Sequence, residues 1–177
     1  MATKKKSDSH RNRGLKFEHL IEHKCDELKK QKIAIIGKIP TDWKITRGAG
    51  GRIVGGFPVA ESKFVDFCGL FKGKPISIEA KETKNKTSFP FSNIKDYQIK
   101  FLDLWTELGG LGYYIIRFAE LKKVYFIPSK IMNNCIRTIG RKSAPISWFE
   151  DTKDVIELDY NKLNFEDYIK IGEVKDD

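Results

Sequence analysis

The segment FVDFCGLFKGKPISIEAKET, residues 64–83, constrains the fold more than any other stretch. Two runs rich in β-branched and aromatic residues flank Lys72–Gly73, a pair suited to a two-residue hairpin loop. With that loop, paired positions sum to 145, so Phe71 faces Lys74 and Asp66 faces Glu79. Directly opposed residues of an antiparallel pair project from one face, with Cβ atoms about 5 Å apart. Lys81 lies two residues beyond Glu79 and shares its face, whereas Ile78 and Ala80 point the other way, into a core. A three-residue loop would break this register.

Two carboxylates opposed on a sheet repel each other and need compensation. A divalent cation such as Mg²⁺ or Mn²⁺ supplies it, since carboxylate oxygens suit both. Such an ion polarises a phosphate and acidifies a bound water. Lys81 would then hold the attacking water or offset charge in the transition state. The plainer alternative is a solvated hairpin with a Lys–Glu pair. Gln98 favours the first reading. It falls on the apolar stripe of a helix predicted over 92–109, with Ile94, Phe101, Trp105 and Leu108. A buried amide needs partners, and its oxygen is a candidate ligand for a metal or for its water. The three histidines, His10, His19 and His23, all precede residue 24, which leaves carboxylates, lysine and metal to carry any chemistry in the body.

Charge narrows the class of partner. Residues 150–177 carry ten acids against four lysines, leaving 29 basic and 14 acidic residues in 1–149, a net of +15. A body this basic points to a polyanion, most often nucleic acid. No apolar run reaches the roughly 20 residues that span a bilayer, and the basic, polar start is unlike a signal peptide. Cys25, Cys68 and Cys135 are odd in number and widely spaced, which argues against a disulfide framework or a zinc ribbon and for a reduced, cytoplasmic setting.

Along the chain, residues 1–13 read as a disordered basic tail and 14–177 as one domain. A helix is predicted over 14–32 on Leu15, Leu20, Ile21 and Leu28, and a strand over 33–39 that Pro40 ends. RGAGGRIVGGFP, residues 47–58, holds five glycines and reads as a flexible loop carrying Arg47 and Arg52. It has no GxxxxGK[ST], and no GxGxxG leading into a helix, so a nucleotide site is not supported. The hairpin strands are expected at 63–69 and 75–82. The helix at 92–109 should be capped by Ser92 or Asn93 and closed by Gly109. Strands at 112–118 and 123–128 join through a turn at 120–122. Weaker signals suggest a short helix to Arg137, a strand near 154–158 and a terminal helix near 164–170. The order describes an α/β domain with one mixed sheet flanked by helices.

The D-x12-E-x-K pattern on a hairpin is similar to the PD-(D/E)xK nuclease signature, with Val65 at the degenerate proline. GLFKGKPISIEAKETKNKTSFPFSNIKDYQ resembles the RecU family of Holliday-junction resolvases more specifically. KFEHLIE, IPT at 39–41, GGLGYYIIRF and VYFIP extend the likeness over roughly 14–130. The resemblance implies a restriction-endonuclease-like fold, an interlocked homodimer and cutting of four-way junctions that depends on Mg²⁺, with Mn²⁺ substituting. It places Asp66, Glu79 and Gln98 at the metal and Lys81 at the transition state, with Glu18 in support. Arg47, Arg52, Lys84 and Lys86 become DNA contacts, and recombinase proteins become partners. The family's protruding stalk corresponds to 42–60. Its metal-assisting threonine is replaced by Phe64. A sequence-specific restriction-type nuclease of the same fold and a non-catalytic junction-binding protein are the competing readings.

Overall fold

The structure is a computed structural model and describes residues 10–40, 43–58 and 64–170. It begins with helix α1, His10–Lys30, followed by strand β1, Ala34–Lys38. The helix starts four residues earlier than expected, so 10–13 are not tail, and residues 1–9 lie outside the described residues. Its buried row is Phe17, Ile21, Cys25 and Leu28. Leu20, expected on that row, is exposed because the i, i+4, i+8, i+11 spacing of the other four sets the face.

The hairpin consists of β4, Phe67–Phe71, and β5, Lys74–Thr83, after the short strands β2, Trp43–Arg47, and β3, Ile53–Pro58. Its register is the expected one: Phe71 pairs with Lys74 and Phe67 with Ile78. Lys72 and Gly73 both have positive φ, 44° and 81°, as a turn matching the strands' right-handed twist requires. The first strand starts at Phe67 and not at 63, which leaves Asp66 at its mouth.

After β6, Ser88–Pro90, helix α2, Asp96–Glu107, crosses over and returns the chain as β7, Leu111–Phe118. Strands β5 and β7 are parallel, which needs such a crossover. Next come β8, Lys123–Pro128, helix α3, Ser129–Thr138, β9, Ser143–Pro145, helix α4, Ile146–Asp151, and β10, Ile156–Leu158. The sheet order is β1-β4-β5-β7-β8-β10, mixed because β5–β7 is parallel among antiparallel pairs. Strands β6 and β9 form a separate small pair, absent from the sequence reading along with α4. The expected terminal helix is a 3-10 turn at Phe165–Tyr168.

Strand β7 shows why the sheet has two cores. Tyr113 and Ile115 pack with α1, Ile78 and Phe126, and Tyr114 and Ile116 pack with Leu102, Tyr125 and Met132 on the opposite side. A fully buried isoleucine such as Ile115 or Ile116 contributes about 1.5–3 kcal/mol of burial. Beside β4 the fit is tight. A Cβ on Gly69 would lie 2.0 Å from the Ile35 carbonyl oxygen, so only glycine lets β1 pair there.

The glycine-rich interval is not a loop. Strands β2 and β3 form an antiparallel hairpin of their own, with Ile45 opposite Gly56 and Thr46 opposite Gly55. Gly55 and Gly56 lie extended in β3, while Gly50 and Gly51, φ 75° and 77°, make the turn. A partner strand satisfies the backbone that isolated glycines could not order, which reading 47–58 by composition alone missed. Ile45, Ile53 and Val54 are exposed on this hairpin.

Candidate active site

Asp66 and Glu79 meet where β4 begins and β5 approaches its end. Each carboxylate is held by the other strand's backbone. Asp66 Oδ2 accepts the Ala80 N–H at 3.0 Å, and Glu79 Oε2 accepts the Asp66 N–H at 3.3 Å. The hairpin register therefore builds the pair, as the sequence spacing implied. Ile78 and Ala80 go to the opposite core. Glu79 is fully buried, and Lys81 Nζ pairs with its Oε1.

Gln98 is buried on α2, as expected, and reaches the same carboxylate. Its Nε2 donates to Glu79 Oε1 at 2.5 Å, and its Oε1 accepts the Lys95 N–H at 2.9 Å. The amide orientation is dictated by these neighbours: a backbone donor on one side and a carboxylate acceptor on the other. Gln98 thus caps α2 in the place expected of Ser92 or Asn93, which instead lie in a 3-10 turn at Phe91–Asn93. Gln98 and Leu102 are the buried residues of α2, while Leu108 is exposed and Phe101 and Trp105 are only half-buried. The expected core stripe is rotated towards solvent, and Gly109, φ 89°, follows the helix as expected.

Electrostatically the site is frustrated without a cation. Burial, then the charge of Asp66, pushes the Glu79 carboxyl well above the ordinary range, and Lys81 only partly opposes this. Burial works against the Lys81 ammonium, but Glu79 and Asp66 outweigh it and hold its proton more tightly. Two close carboxylates with one ammonium suit a hard divalent ion whose other ligands are waters and phosphate oxygens. Among the described residues, no group of three or more His, Cys, Asp or Glu side chains forms a metal cage. Glu18 is accordingly tied elsewhere, to Lys38 Nζ at 2.7 Å.

Two neighbours escaped the sequence reading. Lys38, at the end of β1, bridges outward to Glu18 and feels Asp66. Tyr97 feels Glu79, Lys81 and Asp66. The signals were there: Lys38 precedes the IPT run, and Tyr97 adjoins Gln98. Lys84 and Lys86 are exposed in the turn after β5, while Arg47 and Arg52 are exposed at the tip of the β2–β3 hairpin, where Arg47 donates to the Gly51 carbonyl. Phe64 stands half-exposed with its ring edge-on to Phe101.

The three cysteines are free, and no helix among the described residues is long and apolar enough to cross a membrane. The family model described as Recombination protein U matches residues 12–171. Holliday junction resolvase RecU of Geobacillus sp. is 33% identical over 172 residues, 92% of this chain and 83% of the relative. The protein of the same name from Pediococcus pentosaceus is 32% identical, covering 74% of this chain and 69% of the relative. Among solved structures, Archaeoglobus fulgidus Hjc, a Holliday junction resolvase, is a loose match with TM-score 0.41 and 14% identity over 72% of this chain and 84% of that one. With its hairpin register and nearly its whole length matched, this chain belongs to the RecU family.

Proposed function

We propose that the protein is a Holliday-junction resolvase: a structure-selective endodeoxyribonuclease that hydrolyses phosphodiesters at four-way junctions during recombination and repair. The observation that supports this most is the buried Glu79 opposed to Asp66, with Lys81 and Gln98 on the same carboxylate. Two close acids with a raised proton affinity are costly to a fold and useful to a metal. The names of the relatives supply the substrate class.

Asp66 and Glu79 would hold Mg²⁺, with Mn²⁺ able to substitute. When bound, the ion supplies a polarised phosphate and an acidified water. Lys81 stabilises charge on the phosphate in the transition state. Gln98 completes the site by fixing the Glu79 oxygens. Glu18 acts at one remove, through Lys38. Arg47, Arg52, Lys84 and Lys86 bind phosphates, and the β2–β3 hairpin is the stalk that enters the junction opening. The working form is a homodimer in the cytoplasm, since two symmetric strands must be cut, with recombinase proteins as further partners. The deciding experiment incubates the protein and Mg²⁺ with a mobile four-way junction and with linear duplex of the same arm sequence. Paired symmetric nicks in the junction alone support the reading. Equal cutting of duplex at a fixed sequence would replace it with a restriction-type nuclease, and binding without cutting with a non-catalytic partner.

A further inference from the structure

Helix α2 carries an aromatic row at i, i+4 and i+8: Tyr97, Phe101 and Trp105. One end lies at the carboxylates. Burial, then Glu79, raises the Tyr97 phenol, and Lys81 and Asp66 act on it as well. Moving away from the site, Phe101 stacks on Trp105 with ring centroids 5.5 Å apart and an interplanar angle of 24°. Phe64, two residues before Asp66, meets Phe101 edge-on at 5.5 Å. The row is built to stay in place. Trp105 Nε1 donates to the Leu111 carbonyl at 3.2 Å, and a Cβ on Gly110 would lie 2.3 Å from that nitrogen, so glycine is what admits the indole. Yet Phe64 is 49% exposed, and Phe101 and Trp105 are only half-buried.

Fixed aromatic rings left open to water beside a phosphate-cutting site need an occupant. We propose that Phe64, with Phe101 and Trp105 behind it, is a stacking platform for a nucleobase that leaves the helical stack next to the scissile phosphate. Three observations favour a base over other occupants. The row is continuous with the catalytic pocket through Tyr97 and through the Phe64–Asp66 chain segment. Lys95 and Lys100, both exposed, flank it on the same helix, which suits a polyanion. A ring accepts any base by its π-face, so the platform adds affinity for unstacked DNA without sequence preference. A four-way junction offers such bases at its crossover and a continuous duplex does not. The proposal rests on the resolvase reading and adds a source of junction preference on the nuclease body itself, separate from the β2–β3 hairpin.

The test uses the full-length protein with Ca²⁺ in place of Mg²⁺ and a junction carrying 2-aminopurine beside the cut position. The unmodified protein should change the probe's emission on binding. Phe64→Ala should abolish that change and weaken junction binding about tenfold, while linear-duplex affinity holds. Phe64→Tyr, which keeps the ring, should behave as the unmodified protein. Thermal melting of each variant controls for folding. An unaltered emission change in Phe64→Ala overturns the proposal. So does a shift of Phe64→Ala to a lighter species in sedimentation, which would assign the ring to the contact between two copies of the chain. Junction cutting by the unmodified protein with Mg²⁺ is scored separately, so failure of the platform and failure of the resolvase reading are distinct results.

Discussion

Replacing Gln98 by alanine tests whether this amide holds the site together. The side chain is 4% exposed and makes two bonds that alanine cannot. Its donation to Glu79 at 2.5 Å is charge-assisted, a class worth about 1.5–3 kcal/mol. Its acceptance of the Lys95 N–H at 2.9 Å caps α2, worth about 1 kcal/mol. Gln98→Ala should therefore cost roughly 3 kcal/mol, or about 6–12 °C of melting temperature for a chain of this size. Part of that cost exists only while Glu79 is present, so a double-mutant cycle with Glu79→Gln should show a coupling of at least ~1 kcal/mol. Urea melts of the four proteins in EDTA measure it. In junction cutting, the displaced Glu79 should cost about 10–100-fold in rate or metal requirement, as for residues that orient a ligand. Additivity of the two substitutions within about 0.5 kcal/mol would refute the reasoning and detach Gln98 from the carboxylate.

Three further outcomes follow from the same geometry. Metal-free protein should lose stability as pH rises from about 4.5, the ordinary Glu value, through the raised Glu79 value, because the folded state holds that proton longer than the unfolded chain; above it the profile flattens, and Glu79→Gln should remove the slope in EDTA melts. Gly69→Ala should destabilise by ~3 kcal/mol or more in urea titration, since its Cβ meets β1 backbone that cannot give way. Lys81→Ala should slow single-turnover cutting by ~10²-fold or more with junction affinity little changed; weaker binding at an unchanged rate would make Lys81 a phosphate anchor instead.

The catalytic hairpin was legible because its register follows from one turn. Once Lys72 and Gly73 take positive φ, every pairing down to Asp66 and Glu79 is fixed by the two-residue period. The sheet's central strands were legible for a similar reason: the apolar run from Tyr113 to Ile116 is buried on both faces. The misreadings share a cause, which is that partners distant in sequence decide them. Glycines 55 and 56 look like loop until β2 pairs with them. The stripe of α2 follows helical spacing, but the Glu79 carboxylate holds Gln98 inward and leaves Phe101 and Trp105 at the surface. Ser88–Pro90 is a strand only because Ser143–Pro145 lies beside it. Tyr97 and Lys38 join the site through tertiary contacts that their neighbours in sequence do not announce.

The central claim is that Asp66 and Glu79 bind metal for cutting and do not hold the DNA. Gel-shift affinity in Ca²⁺ and cleavage in Mg²⁺, measured on one four-way junction for the unmodified protein, Asp66→Asn and Glu79→Gln, test it most directly. The account predicts that both variants bind as tightly as the unmodified protein or more so, because removing an acid lessens repulsion of phosphate, and that neither cuts. Cutting by Glu79→Gln at the unmodified rate would contradict it.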